Sequence, residues 1–133
     1  MAAICIDAKP ISDELAIDRM EDKYDIDFSN EFKMFFKENN GGIPLKNMFE
    51  ANGKEYEIRC FLSFNDGEYN SIKKPMASFL EETHGKIVPI AKDSADCYFC
   101  INVENEKVYF WDKDDNLYYC IAQTLTEFLE MLQ

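Results

Sequence analysis

Two cysteines three residues apart, Cys97 and Cys100, have the spacing that zinc sites and thiol-redox sites use. Alternating polar and apolar residues around them predict a β-strand. Residues three apart on a strand point to opposite faces of a sheet, so the two sulfur atoms would diverge. No second Cys-x-x-Cys motif and no Cys/His pair completes a tetrahedral zinc site. We therefore expect buried, reduced thiols here, with a zinc or redox site as the less favoured alternative.

A carboxylate-rich stretch, Asp112 to Asn116, begins like the calcium-binding loop of an EF-hand. The sixth position of that loop is Leu117, where the motif requires glycine, and the twelfth is Gln123, where it requires a bidentate glutamate. These two departures favour a solvated hairpin turn, with weak calcium binding at the surface as the alternative.

The remaining groups that could take part in catalysis form no recognisable motif. His84, the single histidine, follows a predicted helix and has no serine or cysteine motif beside it to activate. Gly41-Gly42 is not followed by the Gly-Lys-Ser/Thr of a phosphate-binding loop. We therefore expect a protein that is not an enzyme, with no catalytic residues, no metal and no cofactor.

The charge of the chain restricts its partners. Its 133 residues include 26 acidic and 14 basic side chains, for a net charge of −12. Such a field repels phosphate backbones and anionic membranes, so we expect neither nucleic acid nor a membrane as a direct partner. A cationic protein would be attracted, although acidity can also serve solubility alone.

The cysteine count and the N-terminal residues indicate a compartment. Five cysteines are an odd set, and the first residues show neither a basic segment nor a long apolar one that would direct export. No apolar run approaches the roughly 20 residues of a membrane span. We expect reduced thiols and a cytoplasmic protein.

The elements that would position these residues are organised around a helix that begins near Phe28. Ser29 is a suitable N-cap, and Asn40-Gly41-Gly42 provides a helix stop because Asn and Gly tolerate left-handed backbone. Four aromatic residues recur at helical spacing and predict one buried face: Phe28, Phe32, Phe35 and Phe36.

The other elements follow in the order helix, central helix, hairpin, helix, meander, helix. Asn52-Gly53 predicts a tight hairpin turn, and Thr124 with Glu127 forms a capping box before the last helix. We predict an α+β fold with a single antiparallel sheet (hairpin plus meander) and helices packed mainly on one face. The length suits one domain over residues 1–133.

The central helix resembles the signature of the SUKH superfamily, which usually reads Leu-Pro-x-(Asp/Glu)-Tyr-x-x-Phe-Leu followed by Asn-Gly-Gly. Here Phe28 to Phe36 are followed by Asn40-Gly41-Gly42, with Phe for Leu, Ser for Pro and Phe for Tyr. Ile87 to Asp93 resemble the family's Ile-Pro-Ile-Ala-x-Asp segment, and Val108 to Asp112 its strand ending in Trp-Asp. The matches span about residues 28–132.

The resemblance implies a function in protein binding. Bacterial members of the superfamily bind and neutralise cognate toxins, so we expect an immunity protein that occludes a basic, nuclease-type toxin stoichiometrically. Fungal members resemble regulators of cell-wall synthesis, so an interaction adaptor without a toxin partner is the alternative, and an enzyme is a third. The oligomeric state stays open. From charge and predicted placement alone, the candidate contact residues are Glu55, Glu57, Asp66, Glu68, Asp112, Asp114 and Asp115.

Overall fold

The computed structural model describes residues 5–132. Four helices lie at α1 (Ala16–Tyr24), α2 (Asn30–Asn39), α3 (Lys73–Glu82) and α4 (Leu125–Glu130). Nine strands are β1 (Cys5–Ile6), β2 (Ile43–Pro44), β3 (Met48–Ala51), β4 (Lys54–Glu57), β5 (Cys60–Phe61), β6 (Ile87–Lys92), β7 (Tyr98–Asn102), β8 (Val108–Asp112) and β9 (Leu117–Ala122). The α+β character is as predicted.

The prediction of a single sheet was wrong. Strands β5 to β9 form a five-stranded antiparallel sheet in sequential order, whereas β1 pairs only with β2 and β3 only with β4. The cause is a change of partner within the segment that the sequence suggested was one continuous strand. Ile58 N–H still donates to Asn47 C=O at 2.7 Å, but Arg59 N–H donates to Lys92 C=O at 2.8 Å, in β6 of the main sheet. The β3–β4 hairpin is therefore not hydrogen-bonded into the main sheet and instead packs against one of its faces.

The helices also do not share one face. Phe128 of α4 and Phe49 of the hairpin pack on Phe99, whose ring centroid lies 5.7 Å and 5.8 Å from theirs. Phe79 of α3 instead contacts Tyr98 and Trp111, at 5.5 Å and 5.1 Å. Tyr98 and Phe99 are consecutive strand residues and therefore face opposite ways, so α3 and α4 contact opposite faces.

Helix α2 forms as the sequence predicts. Ser29 has extended backbone, and its hydroxyl accepts from the N–H of Phe32 at 3.1 Å, which satisfies one of the free N–H groups of the first turn. Gly41, just beyond the helix, has φ +68°, a conformation that costs glycine little. The aromatic face is buried: Phe32 and Phe36 are almost fully inaccessible and lie 4.7 Å apart between ring centroids.

Candidate partner-binding surface

The structure brings several carboxylates together at one end of the five-stranded sheet. The β6–β7 and β8–β9 turns lie at the same end because the strands are antiparallel. The pKa of the Cys97 thiol is affected by three carboxylates: Asp93 in the first turn, and Asp112 and Asp114 in the second. Burial raises the pKa of this thiol, and the three negative charges raise it further. We call this region, with Asp115 and Glu57, the acidic end.

The β8–β9 turn holds its own side chains by hydrogen bonds. Asp112 Oδ1 accepts from the N–H of Asp114 at 2.9 Å, and Asp115 Oδ1 accepts from the N–H of Leu117 at 2.9 Å. The Tyr119 hydroxyl donates to Asp115 Oδ2 at 2.5 Å. This last bond lowers the pKa of the Asp115 carboxyl and raises that of the Tyr119 phenol, so the carboxylate stays charged. The turn therefore presents negative charge in a fixed geometry.

The hairpin adds two glutamates. Glu57 reaches the β6–β7 turn, where its Oε1 accepts from the N–H of Ser94 at 2.5 Å. Glu55 is exposed and sits directly opposite Glu50 in the β3–β4 register. Opposed like charges weaken a strand pair, so these two glutamates add negative charge to the hairpin at some cost in stability. Our sequence analysis missed Glu50; counting back from the Asn52-Gly53 turn would have paired it with Glu55.

Two predicted residues do not belong to the acidic end. Asp66 forms an ion pair with Lys73 at the start of α3, which neutralises its charge locally. Glu68 precedes Tyr69, whose ring lies beneath Arg59 and Lys92 at 5.8 Å and 5.4 Å from the ring centroid. Neither Asp66 nor Glu68 is among the carboxylates that raise the pKa of the Cys97 thiol.

Exposed apolar groups border the acidic end. Leu117 and Tyr119 in β9 are 54% and 39% exposed, immediately after the β8–β9 turn. Lys54 lies nearby, with its Nζ 5.4 Å from the centroid of the Tyr56 ring. An exposed aromatic ring beside fixed carboxylates is the combination that anchors many protein interfaces.

The Asn-Gly-Gly segment lies in the interior instead of on this surface. Asn40 is 1% exposed; its Nδ2 donates to Lys9 C=O and to Ser63 Oγ, and its Oδ1 accepts from the N–H of Phe64 at 2.8 Å. A Cβ on Gly41 would meet Asn70 Nδ2 at 3.1 Å. The segment therefore ties the end of α2 to the chain after β5 and has a structural role.

The thiols do not assemble into a site. Cys97 packs in the main core, whereas Cys100 packs with Phe79 and Ile87 in a second cluster on the other face. All five cysteines carry free thiols. Among residues 5–132 no group of three or more His, Cys, Asp or Glu side chains is arranged to hold a metal ion. Over that same range, no helix is long and apolar enough to cross a bilayer.

The protein is a small α+β protein that holds a set of carboxylates at one end of its five-stranded sheet. A family model described as SMI1-KNR4 cell-wall, SUKH_6, matches residues 14–129, and the chain therefore belongs to this SUKH family. The superfamily includes toxin-immunity proteins and regulators. The match covers the five-stranded sheet and the Asn-Gly-Gly segment.

One curated relative is similar over part of its length. A stretch of 66 residues is 27% identical to the SPbeta prophage-derived uncharacterized protein YokK of Bacillus subtilis (strain 168). That stretch is 47% of this chain and 34% of the relative. The similarity therefore spans about a third of the relative's length.

Proposed function

We propose that this protein is an immunity protein that binds a cognate bacterial toxin and neutralises it by stoichiometric occlusion. The observation that carries the proposal is the acidic end, where Asp112, Asp114 and Asp115 are held on one turn and Glu57 is fixed beside the β6–β7 turn. Family membership supports it, because the superfamily includes toxin-immunity proteins. We further propose that the protein folds as a single domain and acts in the cytoplasm.

The charge favours a basic, nuclease-type toxin as the partner. A nuclease active site must attract phosphate, and a protein of net charge −12 with positioned carboxylates can occupy the same cationic surface. The opposite fields would also speed the encounter of the two proteins. Binding alone would then neutralise the toxin, because the carboxylates exclude its substrate without any chemical step.

The test is co-expression of this chain with the product of the reading frame immediately upstream. We expect the upstream product alone to arrest growth of the host, co-expression to restore it, and the two proteins to copurify in equimolar amounts. If the upstream product is toxic but is neither bound nor neutralised, the immunity function is wrong. A folded but inactive variant of the toxin serves as the control, because its complex with this chain can be measured without loss of host cells.

The description of the family model as cell-wall favours a second candidate, an interaction adaptor or regulator of the SUKH type. An adaptor would bind several cellular proteins and would not change survival in the co-expression test. Affinity purification that recovers several unrelated partners from the native host, with no effect on the toxicity of the upstream product, would support this candidate and contradict the first.

A further inference from the structure

Within residues 5–132, an apolar groove between the first two helices is left uncovered. Its volume is about 880 Å³, and α1 with the residues before it forms one side while α2 forms the other. Leu15 on the first side and Met34 on the second are 51% and 67% exposed, so each side carries a protruding apolar side chain. Single exposed apolar residues are ordinary on a protein surface, but two that line the same groove indicate a surface that packs against something.

The two sides of this groove carry opposite charges. Glu14 and Asp18 lie on the α1 side, which we call the acidic wall, and Lys33 and Lys37 lie on the α2 side, the basic wall. Lys33 forms an ion pair with Glu21 at 3.3 Å, and this pair holds the two helices together. Within residues 5–132, Glu14, Asp18 and Lys37 have no oppositely charged partner within 4.0 Å.

We propose that the α1–α2 groove is the interface of a symmetric dimer formed with a second copy of this chain. A two-fold axis parallel to the groove places the acidic wall of each copy against the basic wall of the other, at the same height along the groove. The same operation brings Leu15 of one copy against Met34 of its partner. The four helices then form a bundle with an apolar centre and charged margins.

Charge complementarity is the reason for choosing a second copy as the occupant. An arbitrary partner needs its own matching pair of charged rows, whereas the groove already carries both rows in the arrangement that a two-fold axis requires. Because the groove is formed by two short helices, we expect a weak, concentration-dependent dimer. The groove shares no residue with the acidic end, so dimerisation leaves the proposed toxin-binding surface free.

Sedimentation velocity across a wide concentration range tests the proposal. The buffer contains about 0.15 M salt, because at that ionic strength the Debye length is about 8 Å and long-range repulsion between the two acidic copies is screened. We expect the wild-type chain to shift from monomer to dimer as its concentration rises. Reversing the acidic wall (Glu14→Lys with Asp18→Lys), or reversing only the basic-wall lysine that has no ion pair (Lys37→Glu), should weaken self-association about tenfold, because attraction is lost and repulsion added at two symmetric places.

The decisive sample is the equimolar mixture of the two reversed variants. In that mixture the reversed acidic wall of one variant meets the reversed charge at position 37 of the other, and the two unchanged walls face each other, so the mixed dimer should form with an affinity near that of the wild type. Met34→Asp should abolish association, whereas Leu45→Asp, at another residue that is 61% exposed, should not. Circular dichroism checks that each variant is folded. A wild-type chain that stays monomeric throughout, or a mixture that fails to associate, overturns the proposal; a monomeric wild type would leave the groove to a helix of another protein.

Discussion

Replacing Asn40 with alanine should destabilise the protein without touching the acidic end. The Asn40 side chain is buried and serves three groups: the carbonyl of Lys9, the hydroxyl of Ser63 and the N–H of Phe64. The side chain of alanine can neither donate nor accept a hydrogen bond. The Phe64 N–H, which bonds to Asn40 at 2.8 Å, would then remain buried without an acceptor.

The expected loss follows from these contacts. A buried donor left without a partner costs about 1–3 kcal/mol, and each other hydrogen bond contributes about 1 kcal/mol net. The total, with partial relaxation, is roughly 2–4 kcal/mol out of the about 5–15 kcal/mol that stabilises a typical domain. At about 4 °C per kcal/mol for a chain of this length, the melting temperature should fall by roughly 8–16 °C.

Thermal and urea unfolding of Asn40→Ala, followed by circular dichroism, measure this loss. Asn47→Ala is the matched control, because Asn47 is exposed, and it should change the free energy of unfolding by less than about 0.5 kcal/mol. The reasoning is refuted if Asn40→Ala is as stable as Asn47→Ala. The folded fraction of Asn40→Ala should retain the partner affinity of the wild type.

Three further results are expected. In the native protein the partly exposed Cys120 should react rapidly with a disulfide reagent. Cys5 is also partly exposed, but burial raises its pKa to about 11, so it should react slowly, as should buried Cys60, Cys97 and Cys100, whose pKa values are raised by burial. A fast phase that survives Cys120→Ser contradicts this. Burial raises the pKa of Tyr118 to about 12, so the folded state favours the neutral phenol. The contribution of this protonated phenol to the free energy of unfolding is therefore fully present below about pH 10 and is lost as the pH rises towards 12. Alkaline titration of tyrosinate absorbance should lose a step near pH 12 in Tyr118→Phe, and an unchanged titration curve would contradict this. A Cβ on Gly42 would lie 2.8 Å from Cys5 Cβ and 3.1 Å from Asn39 C=O, so Gly42→Ala should lower stability by about 1–3 kcal/mol in thermal unfolding, and an unchanged melting temperature would contradict the packing described.

Local patterns were sufficient to predict the elements that form from neighbouring residues. Ser29 caps α2 as predicted, and the Thr124 hydroxyl accepts from the N–H of Glu127 at 3.1 Å at the start of α4. Asn52 and Gly53 both have positive φ, at 56° and 75°, in the predicted hairpin turn. The meander of β7, β8 and β9 is antiparallel as expected. In each case the determining contacts lie within a few residues or one hairpin.

The arrangement of the sheets depended on contacts that no local pattern contains. Tyr56, Ile58 and Cys60 alternate with polar residues as in one straight strand. The backbone nevertheless changes its hydrogen-bond partner, from Asn47 beside β3 at Ile58 to Lys92 of β6 at Arg59. The pairing of Cys5 with Pro44 likewise joins segments far apart in the chain. The hairpin packs through Phe49 on Phe99 and through Tyr56 on Phe110, and such contacts between distant segments are not contained in any local pattern.

The candidate site was predicted only in part for the same reason. Turn composition was enough to predict that Asp112, Asp114 and Asp115 lie together between β8 and β9, whereas their role in binding stays a prediction. Turn composition could not show that Asp93 from another turn joins them, or that Asp66 is neutralised by Lys73. Which carboxylates share a surface is decided by strand order, and strand order is a tertiary property.

The measurement that tests the central claim most directly is the affinity of the upstream product for two charge variants of this chain. Glu55→Lys with Asp114→Lys reverses exposed charges on the hairpin and at the acidic end, and Asp22→Lys with Glu38→Lys reverses two exposed charges on α1 and α2 that do not line the α1–α2 groove. Each pair of substitutions moves the net charge from −12 to −8, so the two variants differ only in where the charge changes. By isothermal titration calorimetry we expect the first variant to bind at least tenfold more weakly than the wild type and the second to bind nearly as tightly, since contact pairs outweigh the overall field. Equal weakening of both variants, or of neither, would contradict a binding role for the acidic end.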